Sequence, residues 1–376
     1  MIGIKEIVMK EISRNTNWMN TLYKCYKKDA ENQVAQLAQE MSKYDTIRNT
    51  ESLLELKKKI IQDGKIYCSY NGNKTNFRLY GIGETLFGDQ IDRTELLPAT
   101  EHGLIFYNTN WSDTALTARA SCITFGEFRK NILRKYYDTP VFEVGSYIQY
   151  ATPYYSEDKM REWEKENGKT LVVFPMHSTD DSTLSYSEKE YIKKIKKIAT
   201  GYDTVLICMF WWNLDMPIVK AFKQEGFKIA SAGYREDPMF LRRQRTMIEM
   251  ADCVVTDAIG THVGYCYKLG KSVEMINSGT KTNIYNDTFI KQQVKNIENA
   301  ILSGDRNLID STMKFYWGND ISYSKEKLKN IAEINEEITI RGHYWVKNYP
   351  KAARQLLEKY RESDEIKYSL LKRAMQ

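Results

Sequence analysis

The stretch that decides the fold runs from Lys169 to Met209 and reads KTLVVFPMHSTDDSTLSYSEKEYIKKIKKIATGYDTVLICM. It contains an apolar run, a polar loop, a lysine-rich stretch with isoleucines at helical spacing, and a second apolar run. A strand, a helix and another strand of these lengths form a unit whose two strands lie parallel. The segment therefore predicts a parallel, helix-flanked sheet.

The same alternation continues to residue 276. The predicted strands are Thr170–Pro175, Thr204–Met209, Lys228–Ser231, Cys253–Thr256 and Ser272–Met275. The predicted helices are Tyr186–Ala199, Pro217–Gln224, Pro238–Met250 and Thr261–Leu269. Five strands joined by helices of this length, with right-handed crossovers, predict a Rossmann-like domain.

The rest of the chain is less regular. Apolar residues recur at helical spacing up to Asp63, and β-prone runs follow at Phe77–Tyr80, Leu104–Tyr107 and Val141–Val144. A charged, turn-prone segment, Pro153–Gly168, separates them from the regular half. Further helices are predicted at Asp287–Leu302, Ser324–Glu337 and Pro350–Tyr360.

These patterns predict an α/β fold class with two Rossmann-like domains and helical additions at both ends. The expected units are an N-terminal α/β domain over residues 1–155, a Rossmann-like domain over 168–300 and a C-terminal helical segment over 301–376. A chain of 376 residues that is 42% hydrophobic is large enough for two cores.

Charge and composition exclude some classes of partner. The formal charge of +6 is spread over 55 basic and 49 acidic residues, so we expect no nucleic-acid partner. This balance fits phosphate-bearing substrates or an anionic membrane surface. The basic helix Pro350–Tyr360 has two readings, a solvated face and a membrane contact.

The cysteines and the N-terminus indicate the compartment. Six cysteines without CxxC spacing favour buried free thiols under reducing conditions. The first residues lack the apolar core of a signal peptide, and no run approaches the roughly 20 apolar residues of a spanning helix. We therefore expect a cytoplasmic protein, with peripheral contact to the inner face of the membrane left open.

Ligands of parallel α/β sheets bind beyond the carboxyl ends of the strands, so the loops there hold the candidate site residues. The first such loop carries His177, Ser178 and Thr179, followed by Asp180-Asp181. An imidazole in this place can donate a hydrogen bond to a leaving phosphate or act as a general acid. The alternative is a polar cluster that caps the next helix. A metal at the two aspartates is a weaker reading.

A second candidate loop is the turn Thr256–His262. Its small residues and the helix that begins there form an anion site, because backbone N–H groups and the helix dipole attract phosphate. Gly260 allows close approach, and Thr261 and His262 add polar groups. The alternative is an ordinary helix start capped by Asp257 or Thr261.

Two further loops carry candidate residues. After the third strand, Tyr234 is expected to stack on a base, Arg235 to contact a phosphate and Glu236 to accept from ribose hydroxyls. The alternative is a plain helix start at Pro238 with exposed loop charges. In the N-terminal half, Glu101-His102-Gly103 offers a general base toward an acceptor hydroxyl. The alternative is a surface glutamate beside a half-buried histidine.

Taken together, these loops resemble those of bacterial GT-B glycosyltransferases of capsule and lipopolysaccharide synthesis, which include polysialyltransferases and Kdo transferases. Glu101-His102-Gly103 matches the acidic motif that ends in glycine, His177-Ser178 the His-Pro pair, and Gly260-Thr261 the Ser-Ser pair. His102 stands where the family has a second acid, Ser178 where it has proline, and Gly260-Thr261 where it has two serines.

The resemblance implies a nucleotide-sugar donor, CMP- or UDP-linked, in the C-terminal domain and a glycan or glycolipid acceptor at the N-terminal one. Glu101 or His102 would take the acceptor proton, while His177 and the helix at Thr261 would stabilise the departing phosphate. It also implies independence of metals and of any other cofactor.

Three other functions stay open. A UDP-N-acetylglucosamine 2-epimerase would share the architecture but needs carboxylates that converge on the sugar, for which Glu101, Asp180, Asp181 and Glu236 are available. A glycerophosphotransferase that uses CDP-glycerol would show similar histidines. A non-catalytic scaffold would bind a nucleotide sugar without turnover.

Overall fold

The computed structural model describes residues 34–63, 79–88, 97–108, 121–135, 141–178, 183–283 and 287–337. Its first half contains α1 (Glu51–Asp63), α2 (Ile82–Phe87), β1 (Ala99–Thr100), β2 (Cys122–Thr124), α3 (Glu127–Leu133), β3 (Val141–Glu143) and α4 (Glu157–Asn167). Its second half contains β4 (Thr170–Phe174), β5 (Leu184–Ser185), α5 (Glu188–Ile198), β6 (Thr204–Cys208), α6 (Pro217–Gln224), β7 (Lys228–Ala230), α7 (Phe240–Met250), β8 (Cys253–Thr256), α8 (Thr261–Lys268), β9 (Val273–Met275), β10 (Lys281–Thr282), α9 (Thr288–Ser303), α10 (Arg306–Trp317) and α11 (Lys325–Glu337).

The C-terminal half is organised around a five-stranded sheet of order β7-β6-β4-β8-β9, and every pairing in it is parallel. All five residues of β4 and all five of β6 are buried, because helices cover both faces. The predicted strands and helices of this half agree with the structure to within one or two residues. The α/β fold class with parallel, helix-flanked sheets is confirmed.

The strand order places a topological switch point between β4 and β8. After β4 the chain adds β6 and β7 on one side, and it then returns to add β8 and β9 on the other. The loops that follow β4 and β8 therefore diverge and leave a crevice at the carboxyl edge. His177 follows β4 and the turn before α8 follows β8, so both predicted loops lie at this crevice.

The N-terminal half contains a smaller parallel sheet of order β1-β2-β3. Its strands are two or three residues long. The strand predicted at Val141–Val144 is present as β3. Leu104–Tyr107 is not a strand, because the Leu104 N–H bonds to the Thr261 side chain instead of a neighbouring strand. The described part of Phe77–Tyr80 enters a short 3-10 turn, Leu79–Gly81.

Two helices differ from the sequence-based expectation. The segment Pro153–Gly168, interpreted as turn-prone, contains α4, which starts where the Ser156 hydroxyl accepts from the Lys159 N–H at 3.3 Å. Helix α10 was not predicted, although Asp305 caps it through the N–H groups of Asn307 and Leu308. The helix predicted at Pro350–Tyr360 lies outside the described residues.

The helical additions pack across the two sheets. Residues 34–63 precede the small sheet in sequence, yet their apolar side chains share a core with one face of the large sheet. Thr46 joins them to the loop after β7 through two hydrogen bonds to the Ser231 backbone, at 2.7 and 2.9 Å. At the other end, Gly318 packs tightly against Gly126 and Gly145, beside the small sheet. The helical segments at the two ends of the described chain therefore pack against the two sheets.

Four cysteines belong to the described residues, and all four are free thiols, as expected. Burial raises the pKa of the Cys208 thiol to about 12, so it stays protonated at neutral pH. Cys25 and Cys68 lie outside the described residues. Within the described ranges, no helix combines the length and the apolar character needed to cross a bilayer.

Candidate functional site

The N-terminus of α8 lies at the switch point, and no described side chain caps it. Its N-cap residue is Gly260, in an extended conformation with φ −140° and ψ 179°. The Thr261 hydroxyl instead accepts from the Leu104 N–H of the N-terminal half at 2.9 Å. The first-turn N–H groups of a helix without a cap attract anions, helped by the helix dipole.

Asp257 does not cap α8 either, because both of its carboxylate oxygens bind neighbouring loops. One oxygen accepts from the Met176 N–H at 2.7 Å. The other accepts from the hydroxyls of Ser278 at 2.5 Å and Thr280 at 2.9 Å. The carboxylate thus ties together the loops that follow β4, β8 and β9. Its observed contacts are to protein groups, and they favour positioning over nucleotide binding.

His177 is exposed at the crevice, and its surroundings fix its tautomer. Its Nδ1 lies 2.9 Å from the Ser178 carbonyl oxygen. A carbonyl can only accept, so Nδ1 carries the proton and Nε2 carries the lone pair. Phe210 packs beside the ring with centroids 4.6 Å apart. The surrounding protein lowers the pKa of His177 below its usual value, an effect that the exposure of the ring limits.

Ser178 is fixed by a residue that the sequence did not single out. Asn213 accepts from the Ser178 N–H at 3.1 Å and donates to the Ser178 hydroxyl at 2.8 Å. Asn213 is buried and closes a short turn that follows β6. Its position after the strand next to β4 is the one sequence signal that could have identified it. The loop after β4 is therefore anchored from both sides, by Asn213 and by Asp257.

His262 shapes the turn before α8. Its ring stacks on Phe174 at 5.1 Å, and its Nε2 lies 3.0 Å from the Thr256 hydroxyl. That hydroxyl donates to the Phe174 carbonyl at 2.9 Å, so the imidazole Nε2–H donates to it. Burial, and then the nearby His177, lower the pKa of His262 to about 3. His262 is therefore neutral at physiological pH.

Glu101 is enclosed by its partners. Its carboxylate accepts from the Thr124 hydroxyl and from Arg129 Nε, both at 2.7 Å. The side chains of Glu101 and Arg129 are 0% exposed. Burial raises the pKa of Glu101, and Arg129 opposes this shift. Both oxygens are engaged below the surface. The geometry therefore favours a positioning role for Glu101, which holds its loop in place, and disfavours the role of a base.

His102, the next residue, is only partly buried. Its ring lies 6.0 Å from that of Tyr80. Burial, and then the positive charge of Arg235, lower the pKa of His102 to about 4. The loop after β1 therefore lies close to the loop after β7, and the imidazole between them is neutral at physiological pH.

The three residues predicted after β7 differ in their surroundings. Tyr234 is 0% exposed, with its ring edge-on to Trp211 at 5.0 Å, so the ring belongs to the core and is not open to a base. Glu236 is 2% exposed and likewise lies below the surface. Arg235 stays partly exposed, and its carbonyl accepts from the Tyr80 N–H at 2.6 Å. Of the three, Arg235 is the least buried.

The structure thus divides the predicted residues into groups. The residues gathered at the switch point are His177, Ser178, Asp257, Gly260, Thr261 and His262. His102 and Arg235 form a neighbouring cluster, whereas Glu101, Tyr234 and Glu236 are buried. Thr179, Asp180 and Asp181 lie outside the described residues. Among the residues that the structure describes, no three His, Cys, Asp or Glu side chains are grouped as metal ligands would be.

Comparisons with known proteins give distant likenesses. No family model matches the chain, and no curated protein matches it in sequence. The chain is similar to MnaA of S. aureus, solved with UDP, at 11% identity over 82% of each chain and a TM-score of 0.37. It is also similar to the UDP-GlcNAc 2-epimerase of Methanocaldococcus jannaschii, at 13% identity over 75% of this chain and 80% of that one, with a TM-score of 0.33. Likenesses this distant do not assign a substrate or an activity to this chain.

Proposed function

We propose that this chain is a glycosyltransferase that binds a nucleotide sugar at the switch point and transfers the sugar to a glycan or glycolipid acceptor of surface polysaccharide synthesis. The observation that carries the proposal is the uncapped start of α8 beside β4. Donors at a helix N-terminus suit the phosphate of a nucleotide sugar. The contact between Leu104 and Thr261 brings the opposite half of the chain to the same place, where an acceptor would enter.

The chemistry divides between an anion site and a proton acceptor. The acceptor hydroxyl oxygen forms a bond to the anomeric carbon, the bond from that carbon to the phosphate oxygen breaks, and the hydroxyl proton leaves. The N–H groups at the start of α8 stabilise the charge that develops on the phosphate. His177 Nε2, with its lone pair, accepts the proton.

This division changes two roles given by the sequence. His177 was expected to donate toward the leaving phosphate, but its Nδ1 proton is used by Ser178, so Nε2 has a lone pair and no proton to donate. Glu101 was expected to be a base, and we assign it the positioning of His102 through its ion pair with Arg129. Asp257 and Asn213 position the His177 loop.

The decisive test is the variant Gly260→Asp. The extended backbone at Gly260 accepts an aspartate, whose Cβ would lie 3.0 Å from His262 Nδ1, so the imidazole must shift by a few tenths of an ångström. Aspartate at an N-cap stabilises a helix by about 0.5–2 kcal/mol, and it would also repel a phosphate. We expect the variant to unfold at the same or a higher temperature than the wild type and to lose stabilisation by nucleotides.

The measurement is the thermal unfolding midpoint with CMP, CDP, UDP and GDP, because a ligand that binds only the folded state raises stability. Gly260→Asn is the neutral control, and it should lose less binding than the aspartate. Equal stabilisation of Gly260→Asp and the wild type by a nucleotide would place the phosphate elsewhere and refute the proposal.

A product assay separates transfer from the alternatives. Incubation of the nucleotide sugar that binds, with and without an acceptor glycan, should release free nucleotide only when the acceptor is present. Conversion of the donor sugar to its epimer without an acceptor would instead identify an epimerase. Binding without any turnover would identify a scaffold.

A further inference from the structure

We propose that Lys57, on α1, positions the loop that carries His177, and that it acts through the turn that follows β6. This turn spans Trp211–Asn213 and lies at the same carboxyl edge of the sheet as the His177 loop. The effect on sugar transfer rests on the proposed function, whereas the positioning itself does not.

Lys57 is a buried cation that contacts the segment from Trp212 to Asp215. The residue is 9% exposed. Its ammonium group donates to the Trp212 carbonyl and to the Asp215 carboxylate, the latter at 2.6 Å, and it lies 4.7 Å from the centroid of the Trp212 ring. A buried charge needs such partners, because burial without them is costly. An ionic contact therefore joins α1 to the turn, in addition to the apolar packing between them.

Lys57 holds one side of the peptide group from which the Asn213 residue continues. The Trp212 carbonyl and the Asn213 N–H belong to the same peptide group, which is planar. Lys57 donates to the carbonyl, and the N–H donates to the Phe210 carbonyl at 2.9 Å. Both sides of the plane are therefore held, one by α1 and the other by the turn itself. This fixes the direction in which the Asn213 side chain leaves the backbone.

The turn contacts the His177 loop at two places. Asn213 accepts from the Ser178 N–H at 3.1 Å and donates to the Ser178 hydroxyl at 2.8 Å. Phe210 packs beside the His177 ring with centroids 4.6 Å apart. The Ser178 carbonyl in turn accepts from His177 Nδ1 at 2.9 Å. A shift of the turn would therefore disturb both the acceptor that selects the tautomer and the ring that packs on the imidazole.

Removing the Lys57 ammonium should loosen this series of contacts without unfolding the chain. The Asp215 side chain is 52% exposed, so water can solvate its carboxylate when the lysine is absent. The Trp212–Asn213 peptide would lose its donor on the carbonyl side. The His177 ring should then exchange between its two tautomers, and Nε2 would carry its lone pair for only part of the time.

The test reads the tautomer of His177 by NMR of the full chain with isotope-labelled histidine, at a mildly alkaline pH where imidazoles are neutral. The two ring nitrogens of a neutral imidazole differ in chemical shift, because one carries the proton and the other the lone pair. The two shifts converge when the tautomers exchange. The signals that are lost in His177→Asn identify this residue. We expect one tautomer in the wild type, with the proton on Nδ1.

Lys57→Met removes the charge and keeps a long, unbranched side chain. We expect the His177 ring shifts to converge in this variant. They should stay as in the wild type in Lys58→Met, the same change at the exposed neighbouring residue of α1. Lys57→Arg should keep the wild-type tautomer, because a guanidinium can donate to both the carbonyl and the carboxylate. His102 is the internal reference, and its shifts should not change.

Unchanged His177 shifts in Lys57→Met would overturn the proposal. Equal changes at His177 and His102 would also overturn it, because they would indicate a general loosening of the fold. If Lys57→Met does not fold, Asp215→Asn replaces it, since this change weakens the ion pair at an exposed side chain. The His177 shifts should then move in the same direction by a smaller amount, and the absence of any movement would overturn the proposal.

A transfer assay on the same variants keeps the two proposals apart. We expect Lys57→Met to lower the transfer rate about tenfold and to leave stabilisation by the nucleotide unchanged, because α8 binds the phosphate. If the wild type turns over no nucleotide sugar, the proposed function fails, and the ring shifts alone decide the positioning. Equal losses of nucleotide binding and of transfer would overturn the assignment of Lys57 to the His177 loop.

Discussion

Two arginine–carboxylate pairs, one in each half of the molecule, are equally buried and similarly close, yet they have different consequences. Arg129 lies 2.7 Å from Glu101, and Arg243 lies 2.5 Å from Asp237. All four side chains are 0% exposed. Burial raises the pKa of each carboxyl group, and the arginine opposes the shift.

The two pairs differ in what they join. Arg243 also donates to the carbonyls of Ser42 and Tyr44, at 3.0 and 2.8 Å, so it links α7 and the loop after β7 to a segment about 200 residues earlier in the chain. Arg129, on α3, also donates to the Tyr107 carbonyl at 2.9 Å, so it links that helix to both ends of the loop after β1. The Arg243–Asp237 pair therefore connects distant segments of the fold, whereas the Arg129–Glu101 pair fixes one loop.

Each pair also lies close in sequence to a residue at the junction of the loops after β1 and β7. His102 follows Glu101, and Arg235 lies two residues before Asp237. The charge of Arg235 acts on His102. A buried ion pair can thus position a partly exposed neighbour without itself touching a ligand.

The largest expected effect belongs to Arg243. We expect Arg243→Met to destabilise the protein by about 3–5 kcal/mol, because it leaves the buried Asp237 carboxylate without its ion pair and two carbonyls without a donor. Urea unfolding measures this loss. The double variant Arg243→Met, Asp237→Leu should recover part of it, since no unpaired charge remains. A loss below about 1 kcal/mol would show that this pair does not hold the distant segments of the fold together.

Arg129→Met should cost less stability, about 2–4 kcal/mol, because it disconnects one loop rather than distant segments. Its effect on function should be more selective. We expect nucleotide stabilisation to be retained at low temperature while transfer to the acceptor falls at least tenfold. Equal losses of nucleotide binding and of transfer would instead show that Arg129, like Arg243, supports the whole fold.

The effect that is smallest at neutral pH, and that grows on acidification, belongs to His102. The folded pKa of His102, about 4, lies below the usual value of 6.5, so the unfolded chain binds the proton first. Stability is therefore lost as the pH falls from about 6.5 toward about 4. His102→Asn should make the thermal midpoint less dependent on pH in this window. His177→Asn is the control, because the exposed imidazole of His177 should contribute less to the pH dependence of stability. If the thermal midpoints of the wild type and His102→Asn change equally with pH, the environment assigned to His102 is wrong.

The large sheet could be predicted from the sequence because its strands are continuous apolar runs between helices of regular spacing. β4 and β6 are the clearest cases, since every residue in them is buried. The small sheet has strands too short to show a period. Leu104–Tyr107 was assigned as a strand on local composition alone, and a distant side chain, Thr261, decided otherwise.

The sequence predicted where the candidate site lies, but it predicted few of the contacts within it. Strand ends gave His177 and the turn at Gly260, because the carboxyl edge of a parallel sheet is known from the strand order. The roles of Asp257, Asn213 and Arg129 depend on partners 28 to 81 residues away in sequence, such as Met176 for Asp257. Local pattern cannot identify such partners, so Tyr234 was placed at the ligand and lies in the core.

The packing of Gly264 against Trp317 has a consequence for how the chain unfolds. A Cβ on Gly264 would lie 2.1 Å from the indole, which fills the space beside α8 and donates to the Thr261 carbonyl at 3.0 Å. Two residues later, Asn319 bonds both Gly264 in the C-terminal half and Ser146 after β3. The end of α10 therefore interlocks the two sheets. We expect them to melt in one cooperative transition, and neither half to keep its native packing when expressed alone.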